Sequence, residues 1–429
     1  VAFSDHVPNY RLSLNVTTNT TGWMLGVSAL TGGTVLHTAT STTAGLTVVP
    51  YLLSATMSRG RTDELGSIQA GTATFVVSNS DGRYSPLNAA SPYYPNLVPR
   101  RQIALEAQFG TGPWYPLWYG YVESYKPVDV GAVDSNVTIT CADWLSKAAT
   151  CYLNAARPAE TDQARFQWIC SIVGTDTLTP VVIGPAANTE MMEPITYANV
   201  AASQALQDLT TATRGVIYVD RTGVPTYRTR FGKFSARGNF YNSGYVFDQF
   251  GVHNTANVVP YLQPLDYDMT LLNLYNDIQV TGYDNIMQEA QDSASQTRYG
   301  LFTLSLSLPQ LDPARSLTLA QWLLSLYKTP AVKVHSITVD GDAWLANNTV
   351  APWNILFQLE LGDTVQVLKT QPASASLNKL LFVEKVTHTI AADLAGHQVA
   401  LQLSDTAQAG TPPWILGTST LATSTIFAY

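Results

Sequence analysis

Six histidines and three cysteines are the groups in this 429-residue chain best suited to act as nucleophiles, bases or metal ligands. His6, His37, His253, His335, His388 and His397 are scattered, and no H-E-x-x-H, G-x-S-x-G or P-loop pattern joins them to partners. Cys141, Cys151 and Cys170 have neither the paired spacing nor the neighbouring histidines of a zinc site, and read as small buried residues. A cysteine protease would need one of these thiols beside a histidine with its pKa lowered, which the sequence does not supply. His388 alternates with Val386 and Ile390, the pattern of a strand histidine hydrogen-bonded in place.

Glycoside hydrolysis needs only two carboxylates, and Asp63, Glu64, Asp143, Asp277 and Asp363 are the candidates. Asp143 reads as a helix cap, Asp277 opens a strand after Asn276, and Asp363 follows Gly362 in a turn, so structural roles come first. The Asp81-Gly82 and Asp340-Gly341-Asp342 turns lack the alternating oxygen ligands of a calcium loop. Trp114, Tyr115, Trp118, Tyr119, Tyr121 and Tyr125 could form a sugar-stacking platform. Strand spacing predicts the four tyrosines on one face and the tryptophans on or near the other, which favours core or interface packing. The chemistry thus predicts no catalytic residue, no cofactor and no metal.

The elements behind these residues are mostly strands. In residues 1–143, a Thr-rich start precedes strand patterns at 71–78, 101–108, 117–125 and 137–141, separated by Gly and Pro signals. Ala73, Phe75 and Val77 give the first an apolar face, and Asn79-Ser80-Asp81-Gly82 ends it in a turn. A long excursion follows. Pro86, Pro92, Pro95 and Pro99 fix φ, while Tyr84, Tyr93, Tyr94 and Leu97 supply apolar surface, so the loop is predicted to pack against another subunit.

Residues 144–232 read as a small α+β unit. Thr161 opens one helix, with Phe166, Ile169, Cys170 and Val173 on a face and Gly174 as its stop. Asn199 is the predicted cap of another, carrying Ala202, Ala205, Leu206, Leu209 and Thr213 inward before Gly215. A hairpin, 215–219 and 224–230 about Asp220-Arg221-Thr222-Gly223, follows. In residues 233–405 strand character returns at 275–284, 301–308, 332–339, 359–367, 380–391 and 397–403. Asp312-Pro313 caps a helix predicted to bury Leu317, Ala320, Leu323, Leu324 and Tyr327. Residues 406–429 carry no charge but contain Trp414, Ile415, Leu416, Ile426 and Phe427, too apolar for a free terminus in water. This arm is predicted to dock on a neighbouring subunit or tail protein.

Charged residues are 13% of the chain, about half of the usual ~25%, and 22 Tyr with 9 Trp match the composition of buried subunit interfaces. The net charge of −8 argues against static nucleic-acid binding, which needs a Lys/Arg excess. The beginning, VAFSDHVPNY, lacks a signal-peptide pattern. No apolar run reaches a membrane span, and low cysteine usage fits a reducing cytoplasm. The sequons at Asn15, Asn19, Asn136 and Asn347 read as coincidental.

From Arg59 to Tyr125, the runs RGR, AGTATFVVSNSDGRYSPLN, SPYYPNLVPRRQIAL and PLWYGYVESYKP resemble the opening domain of minor tail proteins of long-tailed double-stranded DNA bacteriophages. SQALQDLTTATRGVIYVDRTGVPTYRTR (203–230), YNDIQVTGYD (275–284) and FVEKVTHTIAADLAGHQVALQLS (382–404) resemble the same family, so the likeness covers most of 50–405. The resemblance implies a β-rich α+β chain: two tube-like β domains, a small helix-plus-hairpin domain between them and an extended C-terminal arm. The sequence alone does not demonstrate an internal repeat. In that family two tube-like domains per subunit let a trimeric ring imitate a sixfold tail tube.

The implied role is structural: a tail hub closing the distal end of the tube in the virion, made in the host bacterial cytoplasm. Its partners would be copies of itself in a homotrimer, the distal tail or tail tube protein, the tape-measure protein, and tail fibre or spike proteins. Genomic DNA would pass only in transit, and no stable membrane association is expected. The residues predicted for assembly contact are Tyr84, Pro86, Tyr93, Tyr94, Pro95, Trp414, Ile415 and Phe427. The alternatives are a hexameric distal tail ring protein, a carbohydrate-binding receptor protein and a cell-envelope hydrolase.

Overall fold

The computed structural model describes residues 8–16, 46–129, 135–175, 178–184, 189–229, 232, 245–249, 258–261, 265–341, 351–369, 377–392, 394 and 396–405. The first strands are β1 (Asn9–Leu14), β2 (Thr47–Val49), β3 (Leu52–Gly60), β4 (Thr72–Ser78), β5 (Gln102–Gln108), β6 (Tyr115–Asp129) and β7 (Ser135–Ala142). A mixed segment follows with α1 (Leu145–Thr150), β8 (Tyr152–Arg157), β9 (Glu160–Thr161), α2 (Asp162–Val173), β10 (Val181–Ile183), β11 (Met191–Met192) and β12 (Ile195–Ala201). It ends in α3 (Ala202–Thr213) and the hairpin β13 (Val216–Val219) and β14 (Pro225–Arg228). Then come β15 (Val246–Gln249), β16 (Val258–Tyr261), β17 (Asp266–Met269), β18 (Asp277–Thr281), β19 (Met287–Gln291), α4 (Ser293–Tyr299), β20 (Thr303–Ser307) and α5 (Pro313–Tyr327). The last elements are β21 (Val332–Asp340), α6 (Ala351–Gln358), β22 (Thr364–Lys369), β23 (Leu377–Ile390) and β24 (His397–Asp405). The chain is β-rich α+β.

Among the described residues, one 14-stranded sheet joins strands from the first part of the chain to strands from its last part. Its first part has the order β2-β1-β5-β6-β7-β4-β3 and its last part the order β16-β15-β22-β23-β24-β21-β17. These are the same order: the first to seventh strands of each set occupy equivalent places. The four pairs of neighbours from the fifth strand to the third are antiparallel in both sets, whereas the other two pairs, second with first and first with fifth, are antiparallel in the first set and parallel in the last. The sixth strands correspond further. Each is long, pairs with the fifth strand near its start and the seventh near its end, and carries one extra residue opposite the seventh strand: Glu123 between Val122 and Ser124, and Glu384 between Val383 and Lys385. Such a bulge bends a strand and lets its two halves serve different neighbours. The sets meet where β3 pairs with β23, from Lys385↔Gly60 to Ile390↔Ala55.

Apolar alternation explains the sheet core. Phe75, Val77, Ile103, Leu105, Val137 and Ile139 are all buried, and Val365, Val383, Val399 and Leu401 join them in one cluster. A second cluster combines α1, α2, α3 and the β13–β14 hairpin with β18, β19 and α5. In α2, Thr161 accepts the Ala164 N–H and Gly174 closes the helix at φ 77°, as its sequence predicts. Asp312 likewise caps α5 by accepting from Arg315, with Pro313 in the first turn.

Four expectations are corrected. Asn199 is not a cap: it takes φ 56° beside the Ala198/Val200 irregularity of β12, and Arg214, not Gly215, ends α3 in the left-handed region. The buried face of α5 is Ser316, Leu319, Ala320, Leu323 and Tyr327, so Leu317 and Leu324 lie at its margin. Residues 359–363 form a turn through Gly362 (φ 77°) before β22 begins. The tyrosines of β6 do not share one face. Leu117 and Glu123 are extra residues in the ladders to β5 and β7, and each reverses the alternation. Tyr115 and Tyr125 therefore pack with Trp118 on the first core, while Tyr121 joins the second.

Candidate functional site

The Pro/Tyr loop is an ordered ribbon of turns. Backbone bonds step through it every three residues: Gly82 N–H to Asn79 O, Ser85 to Gly82, Asn88 to Ser85, Ser91 to Asn88 and Tyr94 to Ser91. Short polar side chains brace each step. Asn79 Oδ1 accepts the Tyr84 N–H at 2.7 Å, Asn88 donates to Gly82 O at 2.9 Å, and Asn96 donates to Val16 O at 2.9 Å. Proline can occupy such a ribbon because the bonds skip it.

Of the residues assigned to assembly contact, Tyr84 and Tyr93 face inward. Both are buried, their rings are 5.5 Å apart, and the Tyr84 hydroxyl donates to Pro50 O. They fasten the ribbon to its own sheet, which corrects their placement on a contact surface. Pro86 is half-buried, and Tyr94 and Pro95 are exposed. Leu87 (96% exposed), Tyr94 (48%) and Val98 (42%) are the apolar groups the ribbon displays. Trp414, Ile415 and Phe427 lie outside the described residues.

The carboxylates considered for hydrolysis are spread over separate structural tasks. Asp63 accepts from Leu65 N–H, and Glu64 receives Asn273 at 3.3 Å and Lys333 at 3.4 Å. Asp277 accepts from Thr303, and Asp363 accepts the Glu360 N–H and faces Arg228. Asp143 receives the Gly71 and Leu145 N–H groups. Burial pushes its carboxyl up to about 7, against those two donors and Arg59. The cleft beside Asp63, Glu64, Lys333 and His335 has a volume of ≈ 210 Å³, below the ~300 Å³ at which small-molecule sites usually begin. Trp118 is fully buried against Phe75, and Arg11 lies 4.5 Å over the ring of Trp114, so a stacking platform for sugars does not form there.

His388 and His397 are brought together, a pairing the sequence did not reveal. His388 Nδ1 lies 3.0 Å from His397 Nε2, whose Nδ1 lies 3.0 Å from the Tyr10 hydroxyl. Burial pulls His397 down to about 3, and burial together with His397 and Arg59 holds His388 well below its ordinary value. Two neutral imidazoles thus pin β23, β24 and β1. Burial raises the thiols of Cys141 and Cys170, the latter to about 12, which makes them poor nucleophiles. Among the described residues no three His, Cys, Asp or Glu side chains could hold a metal ion, and no helix is long and apolar enough to cross a membrane.

The strongest polar constellation is buried where β3 meets β23. Arg59 Nη1 donates to Glu360 Oε1 at 2.6 Å and to Val219 O at 3.2 Å. Glu360 also accepts from the Leu361 and Arg221 N–H groups. Burial opposes ionisation of Glu360, yet Arg59 and these donors hold its carboxyl below its ordinary value. Arg61 pairs with Glu384 at 2.7 Å, and Ser404 donates to the other Glu384 oxygen. At this junction Gly60 has φ 109°, and a Cβ there would lie 2.1 Å from Glu384 O. The network ties the β13–β14 turn to both sets of strands. Its members satisfy one another, so it holds geometry rather than presenting a reactive group.

No family model matches the chain, and no curated protein matches it in sequence. Its fold is similar to solved structures. The tail protein from Neisseria meningitidis shares 11% identity over 93% of this chain and 97% of that one, with a TM-score of 0.59. The 43 kDa tail protein of prophage MuSo2 from Shewanella oneidensis shares 11% over 94% and 99%, with a TM-score of 0.57. A chain of the Francisella PdpA-VgrG complex shares 7%, over 98% of this chain but 56% of that one, with a TM-score of 0.51. The chain therefore has the fold of phage tail proteins, and the likeness extends over almost its whole length.

Proposed function

We propose that the chain is a structural subunit of a phage-type tail, a hub that closes the distal end of the tail tube as a homotrimer. The observation that carries this reading is the repeated strand order, 2-1-5-6-7-4-3 in both sets. Three copies hold six such sets, the number needed to sit on a sixfold tube while leaving a threefold platform for fibres or a spike. The two sets are the tube-like domains, and the helix-rich segment between them is their brace. The Pro/Tyr ribbon, through Leu87, Tyr94, Pro95 and Val98, and the arm containing Trp414, Ile415 and Phe427 are contacts for neighbouring tail proteins. The distal tail or tube protein and the tape-measure protein are the partners this position implies. The action is mechanical, with specificity from symmetry and stability from weakly charged interfaces. Native mass spectrometry of the full chain with negative-stain imaging tests it. Three subunits around a central opening are expected; six subunits would indicate a distal tail ring, and a monomer at micromolar concentration would refute the hub assignment.

A further inference from the structure

The junction between the two sets has a missing counterpart. Within one chain, the third strand of the first set, β3, pairs with the sixth strand of the last, β23, over residues 385–390. The equivalents with roles exchanged are β6, over residues 124–129, and β17. On β6 this stretch pairs with β7 on one side, and β5 stops at Tyr121 on the other. Among the described strands, β17 pairs with β21 alone. Among the described residues, two strand edges of the kind joined inside the chain thus have no strand beside them, and an open edge is a template for another chain.

We propose that the β6 edge of one copy pairs antiparallel with the β17 edge of a second copy, repeating the β23–β3 junction between subunits. This rests on the ring reading above and names its interface. The register follows from the repeat. Thr56, Thr74, Thr140 and Ser124 form one row across the first set, and Asp266, Ser336, Gln402 and Lys385 form the equivalent row in the last. Inside the chain Thr387 faces Ser58. Carrying that register across sets Lys126 opposite Asp268, Tyr125 opposite Met269 and Val128 opposite Asp266. Opposite charges facing across strands favour the pairing.

Exposure at these edges agrees. Lys126, Pro127 and Val128 are exposed on β6. Met269, Leu271 and Leu272, at and just after the end of β17, are 70%, 52% and 55% exposed, a cluster of apolar side chains with water where a neighbour would lie. Pro127, paired with Val137 on the β7 side, has no N–H to give to the open side, where an edge strand tolerates proline; the proposed pairing therefore has one N–H donor fewer than the β23–β3 junction. Because the two edges differ, the contact is head to tail, the kind from which a ring of three copies is built when the rotation between copies closes.

The test uses the full chain carrying K126C/D268C, with S124C/T270C as a second pair in the same register and wild type as the control for the three native thiols. Mild oxidation should give covalent dimers and trimers on a non-reducing gel from a double variant and not from either single variant. K126E should lower ring association severalfold by native mass, and adding D268K should restore it, with melting curves establishing that each variant is folded. If the wild type forms trimers but neither cysteine pair cross-links and K126E/D268K shows no rescue, the edge pairing is wrong and the hub reading stands. If the wild type is monomeric, both fall.

Discussion

Replacing Glu360 with Gln removes one charge from the junction and nearly nothing of its shape, so it isolates what the buried pair contributes. The Arg59 side chain is 4% exposed and that of Glu360 10%. Breaking a buried pair strands the remaining charge, at a cost of about 3–5 kcal/mol. Here the Gln oxygen can still accept from Leu361 or Arg221, and Arg59 keeps Val219 O at 3.2 Å, which places E360Q near ~3 kcal/mol, the lower end. In R59M/E360Q no charge is stranded, so the double variant should be more stable than the sum of the two single variants by about 2 kcal/mol. Urea unfolding followed by tryptophan fluorescence reads these differences as midpoint shifts at constant slope. The sign with pH also follows. A carboxyl held low in the folded state stabilises above its unfolded pKa and loses that contribution as pH falls through the lowered value. The E360Q deficit should therefore be full at pH 7 and shrink in acid. A cost below ~1 kcal/mol at pH 7, or simple additivity in the double variant, would refute the claim that this pair welds the junction.

The histidine pair predicts a pH slope of opposite cause. His397 titrates at about 3 when folded, so the unfolded chain binds its proton first, and stability falls as pH drops below ~6.5 by about 1.4 kcal/mol per unit for each such histidine. H397N should flatten the urea-midpoint dependence between pH 6.5 and 5 by that amount; an unchanged slope would count against a neutral buried ring. Asp143, raised to about 7, binds its proton more tightly when folded and opposes the histidines in the same window, so D143N should steepen the dependence. On the ribbon, L87S/Y94S should leave the urea midpoint within ~0.5 kcal/mol of wild type yet reduce assembly with tail partners in a pull-down. Y93A should instead cost about 3–5 kcal/mol as a core truncation; equal effects from the two would undo the division between fastening and displayed residues.

Local signals were legible and long-range ones were not. The Thr161 and Asp312 caps are written in adjacent residues, as is the alternation of Ala73, Phe75 and Val77. The faces of β6 were misread because a bulge is set by the partner strand: nothing near Leu117 or Glu123 shows that β5 and β7 each offer one residue fewer. The repeat was hidden because its trace is short, aromatic-Val-Glu at Tyr121-Val122-Glu123 and Phe382-Val383-Glu384, while the surrounding residues differ and serve different duties. Glu384 is buried on Arg61, whereas Glu123 sits at the surface, 3.8 Å from Arg100. Tyr84 and Tyr93 were assigned outward for a similar reason. Apolar surface in a loop demands a partner, and sequence does not say whether that partner lies on the same chain.

The β3–β23 pairing also sets a timetable. Ser58 and Thr387, hydrogen-bonded across it, are 329 residues apart. At ~5–20 residues per second of translation, the first set of strands leaves the ribosome with its β3 edge waiting some 15 to 65 seconds for the strand that seals it. On polysomes, where nascent copies crowd together, that edge could take a neighbour's β23 and link unfinished subunits into swapped chains. Thr56 and Ser58, polar side chains alternating with buried Ala55 and Met57, keep the waiting edge hydrated, so the identity of this strand answers to the hazards of synthesis as well as to the finished particle.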